Sequence, residues 1–395
     1  MASSRRSPQK NKHKARMNDT TVCIGLPIHN GGSTLRQSIE SLLAQTHADF
    51  HLVLLDDASS DESAQIAAEY ARSDARVSFH ANRTRAGLIG AWNRVAELSR
   101  TQRPTWFAWF SDHDWVDSEW LARLLSAVEA EPGIVLAHGC VRQLLEPEGR
   151  LMEGGSGLDT RSLDRYERLR AVSLAPFGAG DAVYGLIRFA ALDACGIFPR
   201  EILPDRLLVS ELTLHGAIAF DPGAIRYRRV YEADRKGTEM IARQLRTLVP
   251  DGDEIQCPHL SHCTYFLRRL SAVREVHAES ALERIYHALS YFNRHYYKYD
   301  QECQEELQAS GGCESLREVR EFVRNVVDRN WKVLGTDYIG MLEKVKQTKA
   351  RVDKYRQAYE DAREANRELG LERERLLARI QVLEEAVQDR RGEWM

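Results

Sequence analysis

The chain contains no apolar run of the roughly 20 residues that a membrane-crossing helix needs, and no apolar leader-like core near its start. Those two absences predict a cytoplasmic protein that neither spans a bilayer nor is exported, and that sits at most peripherally on the inner face of a membrane. Its seven cysteines are odd in number and scattered, which argues against a disulfide framework and for reduced thiols. Neither sign of charge dominates: the formal net charge is −3 over 395 residues, so no nucleic-acid partner is expected. Two phosphate-binding signatures are missing as well. No G-x-G-x-x-G follows the first strand-like run, against a dinucleotide-binding domain, and no G-x-x-x-x-G-K-[ST] is present, against a P-loop enzyme.

What is present suffices for a real core. Hydrophobic residues make up 43% of the chain and charged residues 29%, with a mean hydropathy of −0.46. The length predicts two or three folded units. Residues 1–18 are basic and poor in apolar side chains, a disordered arm. Residues 19–235 alternate short apolar runs with amphipathic stretches. Strands are expected at 22–28, 52–55, 77–80, 106–110 and 134–138, and helices follow them, with Ser33, Ser60 or Asp61, and Ser118 as N-caps. This alternation predicts an α/β domain with a mostly parallel sheet and helices on both faces. Residues 146–165 are expected to be a surface connection. Strand signals fade beyond about 235, so 236–335 is expected to be a helical domain.

Residues 336–390 carry a heptad pattern, with Tyr338 to Val387 at position a and Met341 to Leu383 at position d. Sustained a/d periodicity with charged flanks predicts a coiled coil, and Asn366 at an a position favours two parallel strands in fixed register, hence a homodimer.

In a doubly wound sheet ligands bind beyond the carboxyl ends of the strands. The residues there are Pro27, Ile28, His29 and Asn30, then Asp56 and Asp57, then Ser111, Asp112, His113 and Asp114. An Asp at a strand end is often only a helix cap. Several acids delivered to one edge repel one another unless a cation or hydrogen-bond donors hold them, which suggests a metal or sugar site. Oxygen ligands of this kind suit Mg²⁺ or Mn²⁺.

The stretches VCIGLPIHNGGSTLRQSIESLLAQTHADFHLVLLDDASSDES, NRTRAGLIGAWNRVAELSR and FAWFSDHDWVDSEWL, in that order, resemble the family 2 glycosyltransferases. The resemblance implies the GT-A nucleotide-sugar-binding fold over roughly the first 230 residues. It also implies a nucleotide-sugar donor (UDP-, GDP- or dTDP-linked), a glycan or lipid-linked acceptor, and a role in surface polysaccharide or glycoconjugate synthesis. On that pattern Pro27, His29 and Asn30 touch the nucleotide and Asp57 the base or ribose. Asn93 and Arg94 flank the donor, with Asn82, Gly87 and Trp92. Asp112 and Asp114 stand as the D-x-D element, Asp114 the direct ligand of the metal. His113 departs from the pattern.

The general base of an inverting transfer falls on Asp205, with Glu211 as the alternative, although Pro204 stands where the family often has Glu. Gly180 and Asp181 fall where such enzymes line the acceptor side, and Asp181 has a structural reading as well. Two rival functions are a catalytically inactive sugar-nucleotide-binding scaffold and a nucleotidyltransferase. The segment from Cys257 to Cys263 offers four soft ligands, but it reads better as a helix start with Pro258 at the first position and the cysteines packed inside.

Overall fold

The computed structural model describes residues 21–154, 157–174, 179–231 and 257–272, with scattered positions between 288 and 306. The basic arm at 1–18, the coiled coil at 336–390 and most of the helical region at 236–335 lie outside the described residues. The chain divides into Met1–Val323 and Arg324–Met395. The elements below all belong to the first unit.

Strand β1 (Val22–Ile28) is followed by α1 (Gly32–Leu43), β2 (Phe50–Asp56), α2 (Ser63–Ser73), β3 (Val77–Ala81), α3 (Gly87–Ser99) and β4 (Trp106–Trp109). β1 runs parallel between β2 and β4, and β3 joins β2 in parallel. β1 is buried along its whole length, which explains its unbroken apolar run. Successive side chains point to opposite faces and divide into two cores. Ile24, Leu26, Leu52, Leu54, Ala108 and Phe110 pack with α1, α2 and α4 (Trp120–Ala130) on one side. Cys23, Val53, Leu55, Phe107 and Trp109 pack with α3 on the other. Gly25 belongs to the second face. A Cβ there would meet Phe107 Cζ at 2.8 Å and Val95 Cγ1 at 3.0 Å, so the aromatic ring takes the space a side chain would need.

Beyond β4 come β5 (Trp115–Val116), α4, β6 (Ile134–Glu146), β7 (Arg150–Gly154), α5 (Arg165–Leu174), α6 (Ala179–Ala182), β8 (Leu186–Arg188), α7 (Phe189–Cys195), α8 (Pro204–Leu212), β9 (Ala217–Tyr231) and α9 (Pro258–Ala272). The described strands form one sheet in the order β3-β2-β1-β4-β8-β6-β9-β5, with β7 beside β6. Here the expectation of a mostly parallel sheet is corrected. Parallel pairing holds within β3-β2-β1-β4 and between β6 and β9, whereas β8 is antiparallel to both β4 and β6, β7 to β6, and β5 to β9. The parallel pair β6 and β9 is joined by a long crossover that carries β7, α5, α6, β8, α7 and α8. Part of the connection expected at 146–165 is strand: β6 runs on to Glu146 and turns back as β7. That ribbon is only half buried and so shows little hydrophobic pattern.

The caps expected at Ser33 and Ser118 are corrected too, whereas Asp61 Oδ1 does accept from the N–H of Ser63, the first residue of α2, at 3.0 Å. Neither α1, α2 nor α4 has a side-chain cap at its own N-cap residue. The N–H groups opening α1 donate instead to neighbours from the β2–α2 loop, Gly31 to Ser63 Oγ at 3.0 Å and Gly32 to Asp61 Oδ2 at 2.9 Å. Leu121, in the first turn of α4, donates to Gln45 Oε1 at 2.9 Å. Helix α9 begins at Pro258 with Cys257 and Cys263 buried, as its sequence suggested. No described helix is long and apolar enough to cross a membrane.

Candidate functional site

The loops after β1, β2 and β4 meet at His29. Its backbone N–H donates to Asp112 Oδ2 at 3.0 Å, and its Nδ1 lies 3.0 Å from the carbonyl oxygen of Asp57, which makes Nδ1 the protonated nitrogen. Asn30 follows in the left-handed region with φ 54°, a conformation Asn tolerates better than most residues. Its N–H donates to Ser59 Oγ at 3.0 Å, and its Oδ1 accepts from the Ser60 N–H at 2.8 Å. Pro27 is buried inside β1, in register with Leu55.

Asp57 is buried and its carboxylate is well supplied. It accepts from Asn82 Nδ2 at 2.7 Å, the Ala86 N–H at 2.8 Å and the Gly87 N–H at 3.0 Å. A carboxylate from β2 thereby caps α3, where a negative charge also meets the positive end of the helix dipole.

After β4, Asp112 Oδ1 lies 2.8 Å from His113 Nδ1, and the Asp112 carbonyl accepts from Thr34 Oγ1 at 2.9 Å. Burial opposes protonation of His113, but its contact with Asp112 and the nearby charge of Asp114 hold the imidazole above its ordinary value. Asp114 is 2% exposed. Its Oδ2 accepts from Arg226 Nη1 at 2.5 Å, and its Oδ1 is buried with no hydrogen-bond partner.

Arg226 extends the cluster across the sheet. It comes from β9, donates through Nη2 to Asp181 Oδ1 at 2.6 Å, and lies over the Tyr184 ring at 4.0 Å. Arg228, two residues on and so on the same face of β9, reaches the same Asp181 oxygen at 3.2 Å. Asp205 enters beside Asp181 from the first turn of α8, just after Leu203 at φ 50° and Pro204. Its Oδ2 lies against Gly180 so closely that any Cβ there would collide with it, and its Oδ1 is buried without a partner. Burial pushes the Asp205 carboxyl above its ordinary value, against the opposing effect of Arg206.

Residues 23–195 match the sequence model of the family described as Glycosyl transferase family 2. This segment is similar to the family 2 glycosyltransferases. Among curated relatives, the uncharacterized glycosyltransferase EpsJ of Bacillus subtilis (strain 168) is 30% identical over 122 residues, 31% of this chain and 34% of that protein. The UDP-Glc:alpha-D-GlcNAc-diphosphoundecaprenol beta-1,3-glucosyltransferase WfgD of Escherichia coli is 33% identical over 109 residues, 28% of this chain and 40% of WfgD. The match thus spans well under half the length of these relatives. Among solved structures, S. aureus TarS 1–349, determined with UDP-GlcNAc, superposes with a TM-score of 0.52 at 14% identity, over 78% of this chain and 82% of that one. That likeness concerns the fold, which is a mixed α/β sheet of the GT-A type.

Within the matched segment, the structure brings His29, Asn30, Asp57, Asp112 and Asp114 to one rim. Asn93 and Arg94 are not brought there. The side-chain amide of Asn93 is taken up reciprocally by Phe198, Nδ2 donating to its carbonyl and Oδ1 accepting from its N–H, both at 3.0 Å. Arg94 pairs with Glu97 at 3.4 Å on the exposed face of α3. Glu211 is also set apart. It is buried between Arg269 Nε at 2.7 Å and Tyr265 Oη at 2.9 Å, and so ties α8 to α9. Six residues of helix turn it about 120° away from Asp205, which rules out a shared face.

Sequence reasoning missed Arg226 and Arg228. Their one visible signal is the alternation of basic residues along AIRYRRVY, which places 226 and 228 together. Similarity to the family 2 glycosyltransferases raises the question of a divalent cation, and the residues present fit one at a single protein oxygen. Asp114 Oδ1 accepts no hydrogen bond and has only His113 Nε2 nearby, at 3.9 Å, while both oxygens of Asp112 already have hydrogen-bond partners. Mg²⁺ is commonly held by one or two carboxylates with substrate phosphates and water completing the shell. Among the described residues no group of three or more His, Cys, Asp or Glu forms a metal site by itself.

Proposed function

We propose that the chain is an inverting glycosyltransferase. It moves a sugar from a UDP-, GDP- or dTDP-linked donor to a hydroxyl of a glycan or lipid-linked acceptor, in the synthesis of surface polysaccharide or glycoconjugate. The observation that carries this reading is the pair Asp114 and Asp205. They approach one arginine cluster from segments 91 positions apart, each with one buried oxygen that accepts no hydrogen bond from a described protein group. The WfgD relationship supports a nucleoside-diphosphate sugar as donor and a lipid-linked diphosphate saccharide as acceptor.

In the reaction the acceptor oxygen attacks the anomeric carbon as the bond to the diphosphate oxygen breaks. The electron pair of that bond leaves with the nucleoside diphosphate. Asp205 takes the acceptor proton, and its raised carboxyl value keeps it basic enough to do so, an assistance worth about 10²–10⁴ in rate. Mg²⁺ or Mn²⁺ at Asp114 Oδ1, when bound, supplies neutralisation of the charge developing on the diphosphate. The rim of His29, Asn30, Asp57 and Asp112 orients the nucleotide, with Pro27 buried behind it in β1. The heptads of 336–390 support assembly as a homodimer, and the lipid-linked acceptor supports work at the cytoplasmic membrane face.

The test is a transfer and donor-hydrolysis assay against UDP-, GDP- and dTDP-sugars, with Mn²⁺ or Mg²⁺ and with excess chelator. Transfer that vanishes on chelation and returns with metal is the expected result. Undiminished turnover in chelator would remove the cation, and donor binding without transfer or hydrolysis would leave an inactive donor-binding scaffold.

A further inference from the structure

Four acids, Asp112, Asp114, Asp181 and Asp205, crowd a site that has to accept a dianionic diphosphate. A single divalent cation leaves such a group with more negative than positive charge, so the protein has to supply a cation of its own. Arg226 is in no position to do it. Its side chain is 3% exposed, its two terminal nitrogens are bonded to Asp114 and Asp181, and its plane covers Tyr184. Turning it to a ligand would strand two buried carboxylates, a penalty larger than one new phosphate contact returns.

Arg228 differs on each point. Its side chain is 42% exposed, and its one hydrogen bond among the described residues is a 3.2 Å contact to the Asp181 oxygen that Arg226 already holds at 2.6 Å. The groups acting electrostatically on it include Tyr184 and the acids Asp181, Asp114 and Asp205, which bound the reaction centre. Its neighbour Arg229 turns away, pairing with Glu146 and Gln37 and covering Trp115. Arg228 therefore stands at the acids with most of its planar fork of N–H donors uncommitted, in the geometry that matches two phosphate oxygens.

We propose that Arg228 is the protein's own cation for the donor diphosphate, resting on Asp181 in the ligand-free chain and transferring to phosphate oxygens when the donor binds. The proposal rests on the donor-site reading above and adds to it a residue outside the matched 23–195 segment.

Calorimetric titration of the full chain with UDP, GDP and dTDP, and with the corresponding monophosphates, in the presence of Mn²⁺, tests it. Arg228→Gln should weaken the diphosphate that binds by about ten- to a hundredfold, the range for a hydrogen bond to a charged group. The same variant should change monophosphate affinity by no more than about twofold, the usual scatter between independent sites. Arg228→Lys should recover part of the loss, because an ammonium keeps the charge without the fork. A thermal melt like that of the parent excludes a folding defect, since Asp181 keeps its bond to Arg226 when Arg228 is replaced.

Diphosphate affinity in Arg228→Gln equal to that of the parent would overturn the role of Arg228 alone. Equal losses for diphosphate and monophosphate would overturn it as well. Failure of the parent chain to bind any of the three diphosphates would overturn the donor site itself.

Discussion

Arg226 Nη1 lies 2.5 Å from Asp114 Oδ2, and the other oxygen of the same carboxylate, also buried, accepts no hydrogen bond, with His113 Nε2 3.9 Å away. The arginine thus holds Asp114 in one orientation and leaves a single oxygen without a hydrogen bond. Because Arg226 also holds Asp181, replacing it by Gln should strand two acids in the interior. Removing one partner from a buried pair typically costs about 3–5 kcal/mol. Chemical denaturation of Arg226→Gln should show a loss of that order, and a loss under about 1 kcal/mol, the level of surface pairs, would mean the cluster is solvated.

Asp114→Ala should abolish turnover with every donor. It should also remove the Mn²⁺-dependent part of nucleoside diphosphate binding, measured by titration with and without metal. A variant that binds Mn²⁺ and diphosphate as the parent does would displace Asp114 Oδ1 from its proposed role.

Asp205→Asn should spare donor affinity and lower transfer by about 10²–10⁴. The carboxyl is raised by burial, so the acid limb of the kcat profile should lie above the ordinary aspartate range near 3.9 and should disappear in the variant. The same shift makes a stability statement. A carboxyl raised in the folded chain binds its proton more tightly there than in the unfolded chain. Its contribution is therefore fully present below the unfolded value and is lost as pH rises through the folded value. Asp205→Asn should melt higher than the parent at neutral pH, with the gain fading on acidification. A variant less stable at neutral pH would assign Asp205 a capping role instead.

Gly180→Ala isolates the approach of α6 to the base. Its methyl group would occupy the space of Asp205 Oδ2, which must then move. Transfer should fall at least tenfold, because catalytic groups displaced by about 1 Å lose roughly 10² in rate. Donor affinity should hold, and a parental kcat in the alanine variant would show that the base lies elsewhere.

Asn93→Ala separates bracing from binding. Loss of its reciprocal bonds with Phe198 leaves backbone groups unsatisfied and should cost about 1–3 kcal/mol of stability, with donor affinity unchanged. A raised donor Kd at parental stability would restore the donor contact that the family pattern assigns to Asn93.

How far the site could be read from the chain depended on the range of each interaction. The β1, β2 and β4 runs and their trailing His29, Asp57 and Asp112–His113–Asp114 were legible, because parallel strands buried on both faces need unbroken apolar runs and point their carboxyl ends to one edge. Helix caps were misread for a related reason. Ser33 and Ser118 look like caps by local spacing, yet the donors of α1 and α4 are satisfied by Asp61, Ser63 and Gln45 from other segments. Asn93 and Glu211 carry the right chemistry at plausible intervals, but each is committed to a distant backbone or guanidinium.

By itself the sequence determined the alternation that builds the sheet, the acids at its edge and the resemblance to family 2 glycosyltransferases, all of them short-range patterns. Only the tertiary structure decided that β8 enters antiparallel and that Asp205 packs against Gly180. It alone decided, too, that Arg226 and Arg228 cross to Asp114 and Asp181. These contacts join residues 45 to 112 positions apart. No periodicity encodes such pairs, because the free energy that selects them comes from burying and balancing charge in the folded interior.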